Sequence, residues 1–253
     1  MTKTSFRQRL RERQQLAGTF VKTASHQTVE VLGTTGLDFV VIDAEHAPFS
    51  QSALDTCLLA ARATQMPALV RIADAQAATI LKVLDMGATG LLVPHAKTVA
   101  GIREVLSGTR YRGGSRGFSN SSRAGNYGTE PMRPMVEAAD RDIAVVFQIE
   151  DREGVDAIAT LAALEDVDAF LIGRADLAVS YGTFDAAHPD VYEACVRVCK
   201  ACAAANKPVG IFLVDTSELE HWRQLGVSLF VIGSDQALLR TQANAIAQKF
   251  QLD

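Results

Sequence analysis

The chain lacks most of the features that quickly assign a function. Only four cysteines occur in 253 residues. They form no even, loop-rich framework, which argues against a disulfide-built secreted scaffold and for a reducing cytoplasm. Long apolar runs are missing too: stretches such as Val40 to Ile42 and Gly90 to Val93 fall far short of the roughly 20 residues that span a bilayer. The N-terminus has no apolar signal core, so secretion is not expected. A formal net charge of -4 implies no overall basic face for nucleic acid. Neither G-x4-G-K-[ST] nor, after the first strand, G-x-G-x-x-G is present, which disfavours a phosphate-binding Walker loop and a nicotinamide dinucleotide site.

Positive charge is concentrated at the start, where Lys3, Arg7, Arg9, Arg11 and Arg13 face a lone Glu12. Organellar transit segments share that bias, but no Ser-rich stretch or processing site follows. Residues 1–16 therefore read as an amphipathic N-terminal helix, with Phe6 and Leu10 covering a barrel floor. Cys195, Cys199 and Cys202 have the C-x3-C-x2-C spacing of an iron–sulfur loop. They also fall with Val191 and Val198 on one helical stripe, so they are expected in the core as small hydrophobes. Cys57 reads the same way.

What is present is a regular alternation. Strand-like runs occur near Gly18 to Val21, Phe39 to Asp43, Ala68 to Ile72, Gly90 to Pro94, Ala144 to Glu150, Ala169 to Gly173, Val209 to Leu213 and Leu229 to Gly233. Each is followed by a helical stretch, at intervals averaging about 30 residues, the size of one strand–helix unit. Gly36, Gly87 and Gly226 fall where helices should end. A doubly wound open sheet is the rival, but eight units favour closure. The expected fold is a single-domain α/β (β/α)8 TIM barrel over residues 1–253.

Three apolar runs end in charged clusters: Asp43-Ala44-Glu45-His46, Gln148-Ile149-Glu150 and Gly173-Arg174-Ala175-Asp176. Strand C-termini of such a barrel share one mouth, where active sites are built. Hard oxygen ligands converging there suit a divalent cation, and a His beside an Asp suits a general base. Residues 111–128, rich in Gly and Ser and carrying Arg112, Arg116 and Arg123, read as an anion-binding active-site loop at that mouth.

These residues together carry a resemblance. Asp43-Ala-Glu45-His46, Leu69-Val70-Arg71, Gly90-Leu-Leu-Val93-Pro94, Arg116-Gly117, Gln148-Ile-Glu150 and Gly173-Arg-Ala-Asp176-Leu177 resemble, in order and interval, the HpcH/HpaI family of class II pyruvate aldolases, from about Gly18 to Gln236. The resemblance implies a homohexameric barrel that uses a divalent metal (Mg2+, Mn2+ or Co2+) and pyruvate or hydroxypyruvate. Such an enzyme makes or cleaves 4-hydroxy-2-oxo acids with an aldehyde partner. It implies Glu150 and Asp176 as metal ligands, and Arg71 on the pyruvyl oxygen. His46 with Asp43 would form the base dyad, and Glu45 would order metal-bound water. Gln148 and the backbone at Ala175 would bind substrate, and Arg123 the acceptor aldehyde. Lys22, where relatives carry small or aromatic residues, favours an anionic or polyhydroxylated acceptor; His95 is unassigned. The rival readings are a citrate lyase β-like acyl-CoA lyase, a phosphoenolpyruvate mutase or isocitrate lyase type, and an inactive barrel that binds a small acid.

Overall fold

In the computed structural model, which describes residues 4–251, eight parallel strands close into a barrel in the order β1 to β8. The N-terminal helix α1 (Phe6–Arg11) precedes β1 (Leu16–Val21), α2 (His26–Gly33), β2 (Phe39–Asp43), α3 (Gln51–Ala63), β3 (Ala68–Arg71), α4 (Ala77–Asp85), β4 (Gly90–Val93) and α5 (Val99–Thr109). A short 3-10 turn (Arg123–Gly128) then leads to α6 (Met132–Asp142), β5 (Ala144–Ile149), α7 (Arg152–Ala162), β6 (Ala169–Ile172), α8 (Arg174–Tyr181) and α9 (Pro189–Ala204). The chain ends with β7 (Val209–Leu213), α10 (Leu219–Gln224), β8 (Leu229–Ser234) and α11 (Asp235–Gln251). Lys3 and the first and last residues of the expected 1–253 domain lie outside the described residues. The expected 1–16 helix is shorter, because Ser5 caps the amide of Gln8 at one end and Leu16 already pairs with Leu229 at the other.

Two apolar cores follow from strand alternation. Val40, Ile42, Val70, Leu91, Val145 and Ile172 point outwards into the helical shell. Phe39, Val41, Leu69, Leu92, Val146, Leu171 and Val231 fill the barrel itself. Phe6 and Leu10 of α1 belong to that inner cluster, and the Phe6 ring lies 5.3 Å from that of Phe39. Helix α1 therefore plugs the floor. Gly18 is the matching void: a Cβ there would stand 2.6 Å from the Phe39 carbonyl and 2.7 Å from its ring. The three cysteines of α9 and Cys57 of α3 are buried. Burial pushes each α9 thiol up to about 12 and Cys57 to about 11, so they are packing groups and not thiolate ligands.

The 111–128 loop differs from its expected place. It leaves the end of α5, on the strand-start side, because α5 has already carried the chain away from the mouth. Each of its arginines is tied to a helix: Arg112 to Asp140, Arg116 to Asp85 and Arg123 to Asp55. Helix α11 leaves the barrel with Leu238, Leu239, Ile246 and Phe250 exposed, and its main contacts are with β1 and β8.

Two outcomes test this packing. Leu10→Ala should cost about 2–5 kcal/mol in urea unfolding, the usual range for a buried leucine; a loss under about 1 kcal/mol would show that the floor plug is not seated. None of the four thiols should react with an aromatic disulfide reagent until denaturant is added.

Candidate active site

The mouth is built by the last inward position of each strand. In β2, Phe39, Val41 and Asp43 share the inner face; in β3, Leu69 and Arg71 do. Asp43 and Arg71 are register partners across the two strands. Their side chains meet as a two-pronged ion pair, with Arg71 Nε donating to Oδ1 at 2.9 Å and Nη2 to Oδ2 at 2.7 Å. Both are buried, 0% and 5% exposed. Burial alone would raise the Asp43 pKa, but hydrogen bonds and charge from Arg71, the His46 amide and Lys22 outweigh it and hold the group below the ordinary range. The guanidinium also lies 4.5 Å over the Phe20 ring, which fixes its plane.

This pairing corrects the expected His46–Asp43 dyad. Asp43 reaches His46 only through the backbone amide, at 3.1 Å, because both its oxygens are held by Arg71. The His46 imidazole instead faces Glu45, Nε2 to Oε2 at 3.5 Å. Glu45 sits between His46 and Arg71, whose Nε is 3.4 Å from the same oxygen.

On the other side of the mouth, Gln148 and Glu150 face inwards at the end of β5, 4% and 3% exposed. Gln148 donates Nε2 to a Glu150 oxygen. The other Glu150 oxygen accepts the His95 amide at 2.8 Å, and His95 is held with φ at +54° to present it. Burial pushes Glu150 up to about 7; the His95 amide and imidazole oppose that shift, and the charges of Asp176 and Glu45 add to it. Asp176 and Ala175 lie in the first turn of α8, which has no side-chain cap. The free amides of that turn, with the dipole behind them, suit a carboxylate. Gly173 makes the approach possible. A Cβ at that residue would lie 2.7 Å from Gln148 Nε2 and 3.0 Å from Glu150 Oε2.

Phe20, Lys22, His46, Arg71, Gln148, Arg174, Ala175 and Asp176 thus line one cavity of about 290 Å3. Arg123 does not join them. Its guanidinium bonds the Asp55 carboxylate and the carbonyls of Asp55 and Met86 on the helical shell, as the loop's exit from α5 requires. Conversely, sequence reasoning did not name Arg174, Phe20 or Phe212 as cavity residues; counting every second residue along β1 and β7 finds the two aromatics. Lys22 reaches Asp43 at 3.4 Å, and Arg174 pairs with Glu218 at 2.6 Å. His95 bonds Asp151 at 2.9 Å through Nδ1.

A divalent cation fits this donor set. Glu150 is a buried carboxylate in the field of two others, Asp176 and Glu45, an arrangement that added positive charge relieves. Among the described residues no three His, Cys, Asp or Glu side chains form a ready cage. Two carboxylates would hold the ion, and the remaining positions would fall to water and substrate.

Comparison with known proteins agrees with the geometry. A profile of the HpcH/HpaI aldolase/citrate lyase family matches residues 16–241. A 5-keto-4-deoxy-D-glucarate aldolase from Salmonella paratyphi A is 32% identical over 248 residues, 97% of this chain and 96% of that relative. An HpcH/HpaI aldolase/citrate lyase family protein from Burkholderia cenocepacia J2315 superposes with a TM-score of 0.93 at 31% identity, covering 98% of this chain and 100% of the other. The citrate synthase SbnG superposes with a TM-score of 0.88 at 29% identity, covering 98% of each chain. The chain belongs to the HpcH/HpaI aldolase/citrate lyase family, and its chemistry is that of an aldolase, a carbon–carbon lyase.

Proposed function

We propose that the protein is a divalent-cation-dependent class II aldolase that joins pyruvate or hydroxypyruvate to an aldehyde and cleaves the resulting 4-hydroxy-2-oxo acid. The observation that carries this reading is the opposition, at one small mouth, of two carboxylates, the buried Glu150 and the exposed Asp176, and the fixed Arg71 guanidinium. Mg2+, Mn2+ or Co2+ held by Glu150 and Asp176 would supply positive charge where the 2-oxo group binds.

The remaining roles fall to the chain's own groups. Asp43 occupies Nε and Nη2 of Arg71, which leaves Nη1 for a substrate oxygen at C2. As the C3–C4 bond breaks, its electrons move to C3 and the 2-oxo oxygen gains charge, which the Arg71 fork meets without reorganising. His46, half-exposed beside Glu45, accepts the 4-hydroxyl proton as the aldehyde forms and returns it in synthesis. The free amides at Ala175 and its neighbours hold the substrate carboxylate. Gln148 positions Glu150 and offers its Oε1, which is buried without a partner, to a substrate or water hydrogen.

The Salmonella relative is named for an aldarate derivative, whose substrate has a carboxylate at each end. An acceptor of that type suits this mouth, where Lys22 and Arg174 supply cations beyond Arg71. In this reading the chain works in the cytoplasm as one domain within a homo-oligomer. The exposed apolar residues of α11 support assembly, and no described helix is long and apolar enough to cross a membrane.

Deuterium exchange of the pyruvate methyl group, followed by proton NMR, tests the reading without knowledge of the acceptor. Exchange should require Mn2+ or Mg2+ and stop with chelator; exchange that survives chelation would overturn cation dependence. Glu150→Gln and Asp176→Asn should abolish it with the circular dichroism unchanged. Arg71→Met should slow turnover by on the order of 10²-fold or more, the usual cost of one oxyanion donor. Lys22→Met should raise KM for an acidic aldehyde and leave methyl exchange nearly unchanged; equal loss of both would remove Lys22 from the acceptor side.

A further inference from the structure

A second and larger cavity, of about 760 Å3, opens on the opposite face, where α1 seals the strand starts. Five arginines stand in its wall: Arg7 and Arg11 from α1, Arg103 from α5, and Arg110 and Arg112 just beyond α5. So many guanidinium groups in one wall are costly unless anions balance them.

The protein's own carboxylates are few, and two of the three are already engaged. Asp168, fully buried at the start of β6, holds Arg7 Nε at 2.8 Å and Arg11 Nε at 2.9 Å, and accepts the Val145 amide. Asp140 accepts the amides of Tyr111 and Arg112 and the Arg112 side chain at 3.2 Å. Asp166 completes the wall without a hydrogen bond or ion pair to any described residue. Three carboxylates therefore face five cations. Arg103 makes no hydrogen bond or ion pair with any described residue. Arg110 Nη2 is buried without a hydrogen-bond partner, and the Asp168 oxygen with which it pairs is 3.8 Å away. Burial and, after it, the charge of Arg7 push the Arg110 pKa down, against the opposing charges of Asp168, Asp140 and Asp166.

We propose that this floor cavity binds a multiply charged oxyanion, of the diphosphate or tricarboxylate type, separately from the catalytic mouth. Guanidinium forks match the paired oxygens of either group. A single phosphate underfills the space, which has the size of an ordinary small-molecule site. Bound there, the anion bridges α1 to the end of α5 and stiffens the plug that Phe6 and Leu10 form beneath the barrel. The mouth and its aldolase chemistry lie at the far ends of the same strands.

Isothermal titration of the chelator-treated full chain with sodium pyrophosphate and, separately, citrate tests the proposal at ionic strength held constant with sodium chloride. One anion should bind per chain and raise the melting temperature. The tighter of the two probes identifies the phosphate or the carboxylate source. Arg103→Gln with Arg112→Gln should weaken binding at least about 10-fold, the loss of two charge-assisted contacts, while the anion-free melting temperature stays as it was, since both side chains are exposed. Glu150→Gln should leave binding intact, which separates this site from the mouth. Binding that the arginine pair does not affect, binding lost in Glu150→Gln, or heats reproduced by sodium chloride alone would each overturn it. So would no binding by either anion.

Discussion

A closed parallel barrel allows each strand residue only two directions, into the barrel or into the helical shell, and everything functional here depends on that constraint. The inner stripe of β2 ends in Asp43, that of β3 in Arg71 and that of β5 in Gln148 and Glu150. A slip of one residue in any of these strands would exchange its polar end for an apolar neighbour such as Ile42, Val70 or Ile149. Register is fixed by burial on both faces, so the constellation of the mouth is a product of core packing before it is a product of polar contacts.

Within that frame the Asp43–Arg71 pair sets the division of labour. Leaving one partner of a buried ion pair alone costs several kcal/mol, on the order of 3–5, so neither residue is free to change partner. Asp43 is thereby withdrawn from His46, and Glu45 becomes the carboxylate nearest the imidazole. Across the cavity the sign is reversed: Glu150 and Asp176 place negative charge opposite the Asp43–Arg71 pair, and Glu45, 3.4 Å from Arg71, adds its own charge to the field at Glu150. The mouth is polarised from one wall to the other, which suits a substrate whose own charge shifts during reaction.

The barrel was legible from sequence because its signal is repeated. Eight apolar runs, each followed by a helical stretch, predict the eight strands to within a residue or two, and the Cys195–Cys202 stripe predicts burial over metal binding. The inward positions of Arg71, Gln148 and Glu150 follow from the same counting, and Ala175 and Asp176 reach the mouth in the helical turn that follows β6. What failed was partner choice and direction. Whether Asp43 holds His46 or Arg71 is decided by cross-strand register, which a single chain does not display. Composition alone places the Arg123 loop at the mouth, whereas α5 turns the chain to the other side before that loop begins. The roles at the mouth rest on chemistry and on the family to which the chain belongs.

Gly173 gives the constraint a different form. Its neighbours leave no room for a Cβ, and every other amino acid has one. As long as Gln148 and Glu150 stay where they are, position 173 has an alphabet of one letter, and any single-base change that alters the residue displaces the two polar groups beside it. Selection at that codon would act on an absence of atoms: an evolutionary fingerprint of the site left by a residue that performs none of its chemistry.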